Sequence, residues 1–207
     1  MICVSEKLNI SVFAFIAAIF FALSQGFFCS FVFFGAIFIH ELSHIFFILR
    51  FGGRIEKITV YPFGIDILAD THLLSYKKEI VIALSGSCAN LLCAFFGCIV
   101  FRTFPNPNLL FFILCHLSLG LFNLIPLSFF DGGRALRLFL FDVFELDTAF
   151  RLQRVFDIVF SLFFLSVCLT AVLYSNINLS VFMLAVYACL TVLYFCLIKR
   201  SRHISAP

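Results

Sequence analysis

The stretch Phe31–Arg50, FVFFGAIFIHELSHIFFILR, is the part of the sequence from which the fold can be worked out. It belongs to an almost wholly apolar run, Leu8–Leu49, in which the side chains that readily carry charge near neutral pH are His40, Glu41 and His44. An unpaired carboxylate at membrane depth costs several kcal/mol. Three ionisable groups within five residues of such a run therefore indicate a functional site.

The spacing of these three residues matches a metal-binding pattern. On a helix, positions i and i+4 share a face, with Cβ atoms about 5–6 Å apart. His40 and His44 can therefore offer two imidazole nitrogens to one ion, with Glu41 beside them. This is the His-Glu-x-x-His pattern of zinc peptidases, in which the carboxylate takes a proton from water. The alternative is a chance match. This alternative is less favoured in an apolar span, because unpaired charges there are costly.

The composition is typical of a polytopic membrane protein. Of the 207 residues, 63% are hydrophobic and 12% charged, and the mean hydropathy is +1.16, whereas about a quarter of the residues in a soluble domain are charged. We expect an all-α fold of about six transmembrane helices, each near the roughly 20 residues that a bilayer requires. The predicted spans are Leu8–Leu23, Phe27–Leu49, Ile80–Phe101, Leu109–Leu127, Val155–Tyr174 and Leu179–Ile198.

The domain organisation is predicted to be simple. We expect residues 1–207 to form one domain, with no PDZ or CBS domain. For the first apolar run a cleaved signal peptide is the alternative, and we favour a retained helix because its N-terminal flank has one lysine against one glutamate.

The basic residues predict the orientation in the membrane. If the N-terminus is inside, the inside segments hold all of the 14 Lys and Arg residues except Arg102. Cytoplasmic loops carry such an excess, so we expect a multi-pass integral membrane protein with both termini in the cytoplasm. Counting back from Arg50 at 1.5 Å per residue, His44 and His40 lie about 9–15 Å from the cytoplasmic end of their span.

Two segments are expected to lie at the cytoplasmic membrane surface. Arg54–Asp70 mixes β-branched residues and charges around a Pro-Phe-Gly turn, which predicts a small β-hairpin. Its free edge can pair with an extended peptide, and a plain connector is the alternative. Ala135–Arg154 is predicted to form an amphipathic interfacial helix.

The third and fourth spans carry two polar side chains at membrane depth. The small residues Ser85–Ala89 predict close helix packing. Asn90 follows them, and its amide needs a partner there or can donate a hydrogen bond to a developing oxyanion. His116 is expected to be a core histidine bonded to a neighbouring helix, although it can reach the depth of His40.

Asp131 is the candidate for a third metal ligand. It lies at the cytoplasmic end of its span, and Pro126 with the following glycines can turn the chain inward. A catalytic zinc takes three protein ligands and leaves one position open, and His40, His44 and Asp131 give that count. The alternative is an interfacial carboxylate paired with Arg134.

These residues together resemble the site-2 protease family of intramembrane zinc metalloproteases. The motifs that match are His40-Glu41-Leu42-Ser43-His44, Ser85-Gly86-x-x-Ala89-Asn90, and Asn123-Leu124-x-Pro126 leading to Asp131-Gly132-Gly133. The resemblance implies that His40, His44 and Asp131 bind one Zn²⁺, that Glu41 is the base, and that Asn90 and Asn123 help to hold the substrate or its oxyanion. The sequence departs from the family at Ser87 and Phe129, where proline is common.

The outline without a PDZ domain most resembles the sporulation branch of that family. This resemblance implies a membrane-tethered protein substrate, such as a sigma-factor precursor, cleaved near the cytoplasmic face of a bacterial-type cytoplasmic or forespore membrane. It also implies regulatory membrane proteins as partners, beside the lipid bilayer, and no nucleic acid. Control by ATP through a CBS domain is not expected.

Two other functions use the same residues. A metal transporter or sensor would keep its function in a Glu41→Gln variant, but such proteins usually bind their ligands between repeats, and no internal repeat is evident in the sequence. A catalytically inactive protein that binds membrane proteins would be expected to have lost a ligand or the base, and His40, Glu41, His44 and Asp131 are all present.

Overall fold

The computed structural model describes residues 2–5, 8–61 and 64–174. The described chain is mostly helical, with α1 Val12–Gln25, α2 Phe27–Arg50, α3 Tyr76–Thr103, α4 Pro107–Asn123, α5 Asp131–Val143 and α6 Leu146–Tyr174. The described residues also form four short strands, β1 Ile2–Ser5, β2 Leu8–Ile10, β3 Arg54–Tyr61 and β4 Gly64–Asp70. The predicted sixth span, Leu179–Ile198, lies outside the described residues, as does the C-terminus.

The chain divides into two compact units, Met1–Ile125 and Pro126–Pro207. The first unit holds the sheet and helices α1 to α4, and α5 and α6 belong to the second. The organisation of residues 1–207 as one domain stays a prediction.

Two of the described helices are long and apolar enough to cross a membrane, α2 and α3. They coincide with the predicted second and third spans. Helix α4 is apolar but shorter, and it ends at Asn123 rather than at the predicted Leu127. The reason is Pro126, which has no backbone N–H to donate and disfavours helical geometry in the residue before it.

The predicted hairpin is present and is part of a larger sheet. Strands β3 and β4 pair antiparallel from Arg54 opposite Asp70 to Tyr61 opposite Gly64. Strand β2 pairs parallel with β3, and β1 pairs antiparallel with β2, so that the strand order is β1-β2-β3-β4. The expectation of a two-stranded hairpin in an otherwise all-α chain was therefore wrong at the N-terminus.

The error arose at the start of the predicted first span. Residues Leu8–Ile10 form a strand instead of the first turn of a helix, and the backbone N–H of Ser11 continues the pairing by donating to the Val60 carbonyl at 3.0 Å. The helix begins only at Val12. The alternation of apolar and polar residues from Leu8 to Ser11 is a strand signal of period two.

Small residues set the packing of α3 within the first unit. Its buried face includes Ser85, Gly86, Ser87, Ala94 and Gly97, which lets neighbouring helices approach closely. Helices α2 and α4 both pack against α3. The close packing predicted from Ser85–Ala89 is thus observed, and it brings the backbone of α3 up to the histidines of α2.

The predicted interfacial helix Ala135–Arg154 is two helices and not one. Helix α5 ends at Val143, Phe144 is extended with φ −123° and ψ 160°, and α6 starts at Leu146. The Glu145 carbonyl accepts a hydrogen bond from the Ala149 N–H, which begins the new helix. The predicted fifth span corresponds to the C-terminal part of α6.

Candidate metal centre

His40 and His44 lie one turn apart on α2, on the face that the first unit buries. Their side chains are only 4% and 8% exposed. The ring centroids are 4.9 Å apart, and the ring planes are inclined at 80°. The other side of the helix exposes Phe38, Leu42 and Phe46. The helix therefore presents an apolar surface outward and two imidazoles inward, as the spacing predicted.

The Nε2 atoms of both imidazoles converge on Gly86 of α3. A Cβ atom added at Gly86 would lie 2.5 Å from His44 Nε2 and 2.8 Å from His40 Nε2. Glycine is thus the residue that allows the two ring nitrogens and the α3 backbone to approach so closely. When both rings carry their protons on Nδ1, two such nitrogens facing one small buried space form a donor pair that fits a single metal ion.

The surroundings of His44 fix its tautomer. Its Nδ1 lies 2.7 Å from the Ile82 carbonyl oxygen. A carbonyl can only accept, so Nδ1 carries the proton and Nε2 keeps its lone pair. Ser85 Oγ donates to the same carbonyl at 2.7 Å and lies 3.3 Å from His44 Nδ1. Histidines that bind metals almost always donate their other N–H in this way.

His40 is held from the opposite direction by Asn90. The Nδ2 of Asn90 lies 3.1 Å from His40 Nδ1, and its Oδ1 lies 2.9 Å from His116 Nδ1. Asn90 has no exposed surface. The buried amide of Asn90 therefore has two imidazoles as its hydrogen-bond partners. His116 is bonded to a neighbouring helix, as expected. The substrate or oxyanion role of Asn90 stays a prediction.

Three further site residues were predicted from the sequence. Glu41 is half-buried on α2, next to His40. Asn123 is half-buried at the end of α4, and its Nδ2 donates to the Leu119 carbonyl at 3.0 Å. Asp131 is the half-buried first residue of α5, in the second unit. The roles predicted for these three residues stay predictions.

A polar cluster, which we call the Ser128 clamp, fixes the loop before Asp131. The Ser128 N–H donates to Asp157 Oδ1 at 2.9 Å, and the Ser128 hydroxyl donates to Oδ2 at 2.6 Å. Arg137 donates to the Ser128 carbonyl at 3.1 Å, and Gln153 donates to the Ser128 hydroxyl at 3.2 Å. Sequence reasoning missed this cluster because Ser128 and Asp157 lie 29 positions apart in the chain.

Burial and two neighbouring charges shift the pKa of Arg137 in the clamp. Burial lowers the pKa of its guanidinium, Asp157 opposes that effect, and Arg134 adds to it. The guanidinium nevertheless stays charged, because arginine is effectively always protonated in proteins. The Arg137 guanidinium and the Asp157 carboxylate therefore both bind the backbone of Ser128.

This chain is similar to known proteins in sequence and in fold. No family model matches the chain. A curated zinc metalloprotease of Methanocaldococcus jannaschii is 33% identical over 109 residues, which is 50% of this chain and 32% of that protein. The chain therefore matches about a third of the length of this relative. The solved structure of a site-2 protease from Methanocaldococcus jannaschii superposes with a TM-score of 0.64, at 21% identity, over 91% of this chain and 90% of the other.

The chain has the site-2 protease fold. This likeness supports the family resemblance that the three motifs suggested. The convergent histidine pair on α2 thus occurs in a chain that is similar in sequence to a zinc metalloprotease.

Proposed function

We propose that this protein is an intramembrane zinc metalloendopeptidase that hydrolyses a peptide bond of a membrane-associated substrate near the cytoplasmic face. The observation that carries the proposal is the convergence of His40 Nε2 and His44 Nε2 at Gly86, with the proton of His44 held on Nδ1 by the Ile82 carbonyl. The site-2 protease fold and the likeness to a zinc metalloprotease support it.

In this proposal His40, His44 and Asp131 hold the zinc. Two imidazoles and one carboxylate leave the fourth position of a tetrahedral site open, as catalytic sites require. The place of Asp131 at the start of α5, after a loop that the Ser128 clamp fixes, suits a ligand that has to be positioned accurately. When bound, zinc lowers the pKa of water to about 7 and polarises the scissile carbonyl.

The protein residues then carry the proton transfers. Glu41 accepts a proton from the attacking water and delivers it to the leaving amine. Asn90 and Asn123 donate hydrogen bonds from their side-chain amides to the substrate or its oxyanion. These hydrogen bonds would stabilise the negative charge that develops on the oxyanion. Since a helical substrate hides its carbonyls in backbone hydrogen bonds, it has to be unwound locally before attack.

The sheet provides a place for the unwound substrate. In the described residues β3 is paired on both sides, by β2 and β4, so β4 forms the edge of the predicted hairpin. A free strand edge binds extended peptides through main-chain hydrogen bonds. We propose that the outer edge of β4 holds the substrate extended.

The sequence supports the proposed membrane topology, substrate and partners. A multi-pass membrane protein with both termini in the cytoplasm is supported by the apolar helices α2 and α3 and by the distribution of Lys and Arg. A sigma-factor precursor as substrate, and regulatory membrane proteins as partners, are supported by the resemblance to the sporulation branch. Each is open to direct testing with the intact chain.

The test is cleavage of a membrane-tethered candidate substrate, beginning with a sigma-factor precursor, co-expressed with the wild type or with Glu41→Gln. Zinc content is measured on both purified proteins. We expect about one zinc per chain in both and cleavage by the wild type alone. Cleavage by Glu41→Gln at the wild-type rate would refute the role of Glu41. A wild type without zinc would refute the metal site, and zinc transport that survives Glu41→Gln would favour the transporter.

A further inference from the structure

His116 is a buried imidazole that has no part in the proposed chemistry. It lies on α4, is 1% exposed, and contacts Phe112 with a ring centroid distance of 4.3 Å. Through Asn90 it is connected to His40, so that α4, α3 and α2 each contribute one member to a row of hydrogen-bonding groups. The row ends at a proposed zinc ligand.

The amide of Asn90 forces its two neighbours into opposite roles. An amide has one accepting end and one donating end. In the observed orientation, Asn90 donates to His40 Nδ1 and accepts from His116 Nδ1. The proton of neutral His40 then lies on Nε2, which is the atom that faces Gly86. A protonated Nε2 has no lone pair for a metal.

A half-turn of the amide reverses these roles. The oxygen of Asn90 then accepts from His40 Nδ1, and the lone pair of His40 Nε2 becomes available for the metal. The amide nitrogen now requires an acceptor on the other side, because Asn90 is fully buried and an unmade hydrogen bond there costs free energy. The Nδ1 lone pair of His116 can be that acceptor when the proton of its ring lies on Nε2.

We propose that His116 is a positioning residue, which accepts a hydrogen bond from Asn90 and so holds His40 in the tautomer whose Nε2 binds the metal. This role of His116 rests on the proposed zinc site. Groups that orient a metal ligand typically change metal affinity by about 10–100-fold when they are replaced. His116 should therefore affect zinc binding without contacting the ion.

Two substitutions of His116 separate hydrogen bonding from packing. His116→Phe keeps an aromatic ring against Phe112 but cannot accept from Asn90. His116→Asn can place an amide oxygen close to the position of the imidazole Nδ1, which restores the acceptor. Ile113→Ala is the matched packing control, since Ile113 is 5% exposed on the same helix and packs at Gly97.

The experiment measures zinc affinity of the purified full chain by competition with a chromophoric chelator, together with thermal unfolding of the metal-free protein. We expect a loss of about 10–100-fold for His116→Phe, and affinity within about threefold of the wild type for His116→Asn and Ile113→Ala. An unchanged affinity in His116→Phe, or an equal loss in Ile113→Ala, would overturn the role of His116. A wild type without zinc would instead overturn the zinc site.

Asn90→Asp gives a second test that does not depend on the folding of His116→Phe. A carboxylate accepts from both imidazoles, so the metal-binding tautomer of His40 no longer needs an acceptor at His116. We expect Asn90→Asp to bind zinc at least as tightly as the wild type, and Asn90→Leu to lose about 10–100-fold. Equal losses in both variants would contradict the hydrogen-bonding account.

Discussion

Replacing Gly86 with alanine tests whether the close approach of α3 creates the metal site. The new Cβ would lie 2.5 Å from His44 Nε2, against an ordinary contact of at least 3.4 Å, so this ring has to withdraw by about 0.9 Å. His40 Nε2, at 2.8 Å, has to withdraw by about 0.6 Å. A zinc–nitrogen bond is only about 2.0–2.1 Å long, and shifts of this size take both nitrogens out of bonding position.

The expected loss of zinc affinity for Gly86→Ala is at least about 100-fold, the upper end of what disturbing a ligand's surroundings produces. The extra atom should also lower the free energy of unfolding by about 1–3 kcal/mol, as overpacking does. The assay is a competitive chelator titration of the purified protein, with thermal unfolding measured on the same samples.

Gly97→Ala is the matched control for this experiment. It lies on the same helix and gains the same helix propensity, about 1 kcal/mol. Its Cβ would meet Ile113 Cγ1 at 2.8 Å, which is a side-chain atom of α4 outside the proposed set of metal ligands. We expect near wild-type zinc affinity in this variant. Equal zinc affinity in Gly86→Ala and Gly97→Ala would refute the convergence of the two Nε2 atoms as the metal site.

Two further predictions concern the loop before Asp131. Gly133→Ala would bring its Cβ into overlap with the Leu127 carbonyl, which is backbone and cannot rotate away, so we expect more than about 3 kcal/mol of destabilisation; thermal unfolding at the wild-type temperature would contradict this. Ser128→Ala removes one of the two hydrogen bonds to the Asp157 carboxylate and should lower the free energy of unfolding by about 1.5–3 kcal/mol, and Asp157→Asn, which removes the charge from both, should lower it by at least as much. A larger loss in Ser128→Ala, measured in the same unfolding assay, would show that the carboxylate does not dominate the clamp.

The histidine pair could be predicted because its geometry is local. The spacing of His40 and His44 places them on one helical face whatever the rest of the chain does. Their common neighbour was not predictable in the same way. The small residues Ser85–Ala89 indicated close packing, but which atoms meet at Gly86 depends on how α2 and α3 pack together.

The N-terminal strand shows a second limit of sequence reasoning. Leu8–Ile10 has only three residues, so its alternation of apolar and polar residues is too short to decide between a helix and a strand, and its partner β3 begins only at Arg54. Long-range pairing therefore decides its structure. The break at Phe144 was missed for a related reason, since the charges on both sides of it suit one amphipathic helix as well as two.

X-ray absorption at the zinc edge of the zinc-loaded wild type tests the central claim most directly. The account predicts a shell of nitrogen and oxygen ligands at about 2.0–2.2 Å, with outer-shell scattering from two imidazoles. The chain also contains nine cysteines, and thiolate ligands would place sulfur at about 2.3 Å. A sulfur shell, or a spectrum that does not change in His44→Ala, would contradict zinc binding by the histidine pair.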